Sequence, residues 1–382
     1  MLKRYAQALA AVALACVGGA AYADQPAVST HVTSCATDCC NDSCGSFYGS
    51  AGVLFLRACG NGNSAYSSFD CMYENARPIS HLTTVTEFDN GIDLGYRFEF
   101  GYSGANGWGG RVRYFQFNSA DTQSAIDNLD DERAGSGVTS RKDTLRPLGL
   151  GLLSFGTDIN PTSVSYSNTI QIRTIDIELT KSGRCGCLDW TGSLGLRYLQ
   201  TYQTYNYDEA LLTSPATREF DVFGFDITRA EQSQQLRSGH SFNGLGPILG
   251  LEGRYTLWDS LRVYGLGRVG FIFSDGHQEA FTRVNFDQAI LDERQDPRAN
   301  PTLASADSRY SKMITTYEVE VGLEYAYQLC SGSELYLRGG VVGMQFSGLG
   351  NSSRSAVGAS PGESMYDNFS LFGLTATVGF RY

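Results

Sequence analysis

The stretch GIDLGYRFEFGY, Gly91 to Tyr102, puts Ile92, Leu94, Tyr96, Phe98, Phe100 and Tyr102 on one parity and Asp93, Gly95, Arg97, Glu99 and Gly101 on the other. Successive side chains of a strand point to opposite faces of a sheet, so this segment reads as a strand with one greasy face and one polar face. A soluble sandwich presents such faces, and so does a transmembrane barrel with lipid outside and water inside. The ends of the chain and its connections decide between them.

The carboxy-terminal stretch FSLFGLTATVGFRY alternates in the same way, with Phe372, Leu374, Ala376, Val378, Phe380 and Tyr382 on one face and an aromatic residue last. It resembles the signature by which outer-membrane barrels are recognised for assembly, apolar at every second position back from a terminal aromatic. That ending is more often Phe, so Tyr382 is a departure, and Phe380 and Tyr382 are the expected assembly signal. At the other end, Lys3 and Arg4, a short run of small apolar residues and an A-x-A site at Ala21 to Ala23 read as a secretory signal peptide over residues 1–23. A lipoprotein anchor at Cys16 is disfavoured because Ala13 and Leu14 fit a lipobox poorly. No later segment has the run of about 18 apolar residues that a spanning helix needs. With 44 Gly, 21 Phe and 22 Tyr and few helical patterns, the class is all-β.

Alternating stretches recur in pairs across short turns. IDLGYRFEFGY and GRVRYFQF flank SGANGWG; TIQIRTIDIELT and TGSLGLRYLQTYQTY flank KSGRCGCLD; GPILGLEGRYTL and LRVYGLGRVGFIF flank WDS; TYEVEVGLEYAYQ and ELYLRGGVVGMQF flank LCSGS. With FYGSAGVLFLRA at the start and the terminal strand, the expectation is an antiparallel up-and-down barrel of about ten strands over residues 47–382. Long polar connections at roughly 58–90, 119–167, 206–242, 275–314 and 347–365 read as extracellular loops, the short turns and both termini then being periplasmic. A hidden hairpin around LRPLGLGLLSF would make twelve strands. In TIQIRTIDIELT, Ile170 and Ile172 share one parity and Ile175, Ile177 and Leu179 the other; a bulge near Arg173 or Thr174 restores the register, unless the strand begins later.

The hairpin GYRFEFGYSGANGWGGRVRYFQF, the strand GSLGLRYLQ, the paired strands in GLGPILGLEGRYTLWDSLRVYGLGRVGF and the ending GLTATVGFRY resemble the pore-forming outer-membrane family that includes the Legionella-type major outer membrane protein. The resemblance runs from about residue 47 to 382. It implies a pore-forming barrel and carries over no catalytic residue and no cofactor.

If the greasy parity faces lipid, the other parity lines the lumen. It supplies Asp93, Arg97, Glu99, Arg111, Arg113, Asp176, Glu178, Arg197, Glu252, Arg254, Arg262, Arg268, Glu318, Glu320, Glu324, Arg338 and Arg381. A charge on the lipid face costs up to about 2–4 kcal/mol at midplane, which drives these residues inside. They either filter solutes across a water-filled passage or pair with one another and fill a narrow barrel. The expected role is passive diffusion of ions and small solutes; the alternative is a non-conducting structural or adhesive barrel acting through its loops. Removing Lys3 and Arg4 takes the formal charge from −11 to −13, and the acidic runs DNLDDERAG and LDERQDPRAN argue against nucleic acid as a partner. The partners expected are lipid and lipopolysaccharide of the outer membrane and the barrel-assembly machinery.

Loss of Cys16 leaves nine of the ten cysteines, in a compartment that oxidises thiols. Cys59 and Cys71 share the first long connection and suggest an intraloop disulfide. Cys35, Cys39, Cys40 and Cys44 form a Cys-rich leader over residues 24–46, and Cys185, Cys187 and Cys330 sit in turns. Those seven make an odd number, which suggests a disulfide-linked homo-oligomer or a tie to another envelope protein. The leader's CxxxCCxxxC lacks the usual zinc spacing, so no metal site is expected. His81, His240 and His277 lie in or next to the long connections and His31 in the leader, but no nucleophile motif accompanies them, and an enzyme is not expected.

Overall fold

The computed structural model describes residues 45–60, 64–74, 77–89, 91–127, 132–133, 138–146, 162–211, 220–222, 225–290, 302–329, 332–350 and 368–382. These contain β1 (Ser46–Gly60), β2 (Ser64–Glu74), β3 (Arg77–Glu87), β4 (Ile92–Ser103), β5 (Trp108–Asp127), β6 (Glu132–Arg133), β7 (Val138–Arg146), β8 (Thr162–Cys185), β9 (Leu188–Leu211), β10 (Phe220–Val222), β11 (Phe225–Trp258), β12 (Leu261–Ile290), β13 (Thr302–Gln328), β14 (Glu334–Ser347) and β15 (Phe369–Arg381).

Ten strands close into an antiparallel barrel in the order β1-β4-β5-β8-β9-β11-β12-β13-β14-β15, with β15 returning to β1. The seam runs from Tyr48 opposite Arg381 to Gly60 opposite Phe369, and Phe47 and Tyr382 exchange a further pair of backbone hydrogen bonds. Closure leaves no edge with unpaired backbone groups, the condition for a sheet to lie in lipid. β2, β3, β6 and β7 form a separate four-stranded sheet, and β10 caps the start of β11. In the segment proposed for a twelfth strand, residues from 147 on lie outside the described residues, and β7 just before them belongs to the small sheet.

Four tight connections join β4 to β5, β8 to β9, β11 to β12 and β13 to β14, and together they form the turn end of the barrel. Gly107 (φ 77°) and Gly186 (φ 59°) supply the left-handed conformations that the first two require. The opposite, loop end departs from the sequence reading. Much of residues 58–90, 119–167, 206–242 and 275–314, read as loops, is strand: β11 alone has 34 residues, roughly three times the 9–11 that a tilted strand needs to cross a bilayer. The reason is that ladder hydrogen bonds, rather than a lipid-facing stripe, hold these extensions. Their sequences are rich in Ser, Thr, Gln and Asn and carry no period-two apolar signal.

The outer face carries a band of exposed apolar side chains, among them Phe98, Phe100, Ile177, Leu249, Leu323, Leu337 and Leu374. At its turn-end margin stand Tyr102, Trp108, Trp190, Tyr255, Trp258, Tyr327 and Tyr382, the aromatic girdle of a membrane interface. The anticipated bulge in β8 does not exist. β8 pairs with β5 and with β9 in unbroken register through Arg173 and Thr174, and it begins earlier than expected, at Thr162. The change of parity is real: Ile175, Ile177 and Leu179 face outward, whereas Ile170 and Ile172 face inward and are buried.

Candidate functional site: the barrel interior

The inward parity of the strands builds three successive zones. Nearest the turn end, Glu324 is fully buried and accepts hydrogen bonds from Arg262 (2.9 Å), Arg338 (2.7 Å) and Arg381 (2.9 Å). Glu334, absent from the sequence reading, pairs with Arg262 at 2.7 Å and with Arg381. Arg338 reaches on to Glu252 at 2.8 Å, and the guanidiniums of Arg338 and Arg381 lie over the Tyr336 ring, 5.0 and 4.1 Å from its centre. Arg254 points into the same zone. Next to the turn, across the last pairs of the β8–β9 ladder, Arg184 Nε donates to Asp189 Oδ1 at 2.6 Å.

Further in, a second set spans the lumen. Arg97 donates to Glu320 (3.0 Å) and to the Thr375 and Thr377 hydroxyls, and Tyr264 donates to the same carboxylate at 2.7 Å. Tyr264 has room because Gly340 stands beside it; a Cβ there would lie 2.7 Å from the phenol oxygen. Arg113 pairs with Glu318, which also lies 3.7 Å from Arg97 and from Arg197. Arg197 grips Asp176, Arg268 bridges Asp176 (3.0 Å) and Glu178 (2.9 Å), and Arg111 holds Glu178 (2.6 Å) and approaches Glu99 (3.5 Å) and Glu252 (3.4 Å). Of the lumen residues expected from the sequence, only Asp93 joins neither set; it is half-buried toward the loop end of β4.

Above the ions lies a layer that the sequence reading missed. Leu54, Leu56, Phe115, Phe117, Ile170, Ile172, Leu199, Phe242, Ile272, Ile314, Val342, Met344, Phe346, Phe369 and Leu371, from nine of the ten barrel strands, form one buried apolar cluster. Its signal was present as unbroken apolar runs, such as VLFL at Val53 to Leu56, which mark a strand buried on both faces. Between the ionic and apolar layers a cavity of about 10 Å³, room for one water molecule, is lined by Arg113, Phe115, Arg197, Glu318 and Met344, among others.

The cysteines and histidines fall differently from expectation. Cys59 is a free, exposed thiol on the outward parity of β1, held opposite Ser370 in the seam ladder, so the expected Cys59–Cys71 disulfide is not formed; Cys71 lies in β2. Cys185 is free and exposed, while Cys187, two residues on, is disulfide-bonded. Cys35, Cys39, Cys40, Cys44 and Cys330 lie outside the described residues, as does His31. His240 faces inward and its Nε2 meets the Tyr310 hydroxyl, whereas His277 is on the outward parity 3.1 Å from Asp307. The two imidazoles are on opposite faces of the wall; His81 is in β3.

A family model described as Legionella pneumophila major outer membrane protein precursor matches residues 43–382, the barrel from just before β1 to the last residue. The chain belongs to the Legionella major outer membrane protein family. It is thus an outer-membrane β-barrel protein, as the resemblance implied. No curated protein matches the chain. Among solved structures, the outer membrane protease OmpT from Escherichia coli shares 10% identity over 88% of this family member and 96% of its own chain, with a TM-score of 0.30. A major outer membrane protein from Thermus thermophilus shares 12% over 88% and 99%, also at 0.30, and Acinetobacter baumannii CarO 11% over 84% and 97% at 0.19.

Proposed function

We propose that this protein is a porin-like barrel that passes ions and small solutes through a narrow lumen and rests closed, with its turn end and termini in the periplasm. The observation that supports conduction is the sharing of partners among the interior charges. Glu324 holds three arginines and Arg111 has three carboxylates in reach. Stripping a buried charge of its partner costs about 3–5 kcal/mol, but a group that trades one neighbour for another never bears that cost in full. Such a network shifts stepwise, and a slender hydrated path is its open form. No catalytic step is assigned, since His240 and His277 point to opposite sides of the wall.

A second reading, a non-conducting barrel that holds its long strands out at the surface, is favoured by the apolar layer. A hydrophobic constriction sheds water and blocks hydrated ions. Single-channel recording on the purified full-length protein in a planar bilayer separates the two. Small, brief openings between long closures are expected, lengthened in Glu324→Gln, which leaves three arginines short of a partner. Folded protein that stays silent in both forms at every voltage overturns the pore and leaves the surface barrel.

A further inference from the structure

The two sets of interior charges differ in balance. In the inner set, Arg97, Arg111, Arg113, Arg197 and Arg268 each have a carboxylate within ion-pair distance, and the carboxylates Glu99, Asp176, Glu178, Glu318 and Glu320 equal them in number. In the turn-end set, among the described residues, four arginines face three carboxylates, Glu252, Glu324 and Glu334. The arginine left over is Arg254.

Arg254 follows Glu252 on the inward face of β11 and stands opposite Tyr264 of β12 and Asp189 of β9. Among the described residues no carboxylate forms an ion pair with it. Its cross-strand neighbour Asp189 is engaged by Arg184, and Glu252 is engaged by Arg338. Arg381 and Arg338 lie within electrostatic reach of it, and so do Glu252 and Glu324, whose charges are already shared with other arginines. Arg262, its diagonal neighbour across the β11–β12 ladder, has a buried Nε that meets no acceptor. A guanidinium stays charged at any physiological pH and offers five N–H donors in a planar fork. This corner therefore has more fixed donors than acceptors.

We propose that Arg254 and Arg262 Nε form a binding site for a small oxyanion, of the sulfate, phosphate or carboxylate class, at the turn-end mouth of the lumen. The geometry suits one: the fork matches the spacing of two oxyanion oxygens, and stacking on Tyr336 together with the pairs to Glu252, Glu324 and Glu334 holds the surrounding arginines in place before the anion arrives. Arg254 is half-buried and the Arg381 side chain 21% exposed, so solvent reaches the corner from the turn end. The site requires no conduction and stands whether or not the barrel opens.

Calorimetric titration of sodium sulfate into the purified full-length protein in micelles, with chloride holding ionic strength constant, tests it. Saturable binding at one site is expected, weakened about tenfold or more in Arg254→Gln, the loss that follows from removing a charged hydrogen-bonding group. Arg254→Lys, which keeps the charge and loses the fork, is expected to fall between the two and serves alone if Arg254→Gln does not fold. Arg57→Gln, at the loop end where Arg57 pairs with Asp89, leaves binding unchanged. No saturable heat in the unaltered protein, or binding undiminished in both Arg254 variants, overturns the site.

Discussion

Arg197 and Asp176 face each other across the β8–β9 ladder and are joined by two parallel hydrogen bonds, Nε to Oδ1 and Nη2 to Oδ2, each 2.7 Å long. Asp176 also accepts a hydrogen bond from Arg268 Nη1 at 3.0 Å, so two guanidiniums share one carboxylate inside the wall, with Glu178 completing the balance on Arg268. Both bonds to Arg197 are charge-assisted and bidentate, the strongest class a protein interior offers.

Asp176→Ala leaves Arg197 and Arg268 buried around a missing charge, and a loss of about 3–5 kcal/mol of barrel stability is expected. In Arg197→Met/Asp176→Leu the pair is replaced by apolar volume, and Arg268 retains Glu178. The double variant is expected to be the more stable of the two in urea unfolding followed by tryptophan fluorescence. Equal stability would mean that the pair is not formed in the membrane.

β8 yields a second expectation. With no bulge, Ile177 faces lipid and Ile172 faces the interior, five residues apart on one straight strand. A tryptophan at position 177 is expected to be quenched by brominated lipid and one at position 172 to be spared. Quenching at both would restore the bulge. Ile177→Arg should cost about 2–4 kcal/mol, as lipid-facing charges do near midplane.

The same strand shows what the sequence disclosed and what it hid. Strand number, turn positions and the inward charges were legible because lipid imposes a strict period of two on one face, and any charge on that parity is expelled inward. The inner apolar layer was not, because an inward Ile172 breaks the same period that identifies the strand, and irregularity was the simpler explanation. Glu334 escaped because it opens β14 beside a turn, where alternation has barely begun. The extension of the strands past the membrane was hidden for another reason: the outward residues there are largely polar and the buried inward ones, such as Tyr166, Asn168, Ser238 and His240, mix polar with apolar, so no period-two apolar signal marks them.

The free thiols test the orientation of the barrel. Cys59 stands at the loop end of β1 and Cys185 is the last residue of β8, at the turn end, both exposed. In intact cells a membrane-impermeant maleimide is expected to label Cys59 and to reach Cys185 only after the outer membrane is breached. Cys187 is expected to react only after reduction. Labelling of Cys185 but not Cys59 on intact cells would place the turns outside.

The apolar layer offers the sharpest test of the closed state. Phe117 of β5 stands opposite Ile172 of β8, and both are fully buried in the cluster that overlies the ions. Phe117→Ala removes a large side chain from packed surroundings and is expected to cost about 3–5 kcal/mol, with a cavity left behind. Phe117→Ser/Ile172→Asn goes further, since hydroxyl and amide groups hold water where the ring and the methyl groups repelled it. If dewetting keeps the lumen shut, open probability in planar bilayers rises in the order unaltered protein, Phe117→Ala, double variant, while the ion pairs beneath are untouched. Identical recordings from all three, with the barrel folded, would mean that any current runs outside the lumen or that the ionic layer alone is the barrier. The stability loss without a gain in current would then assign these side chains to packing and nothing more.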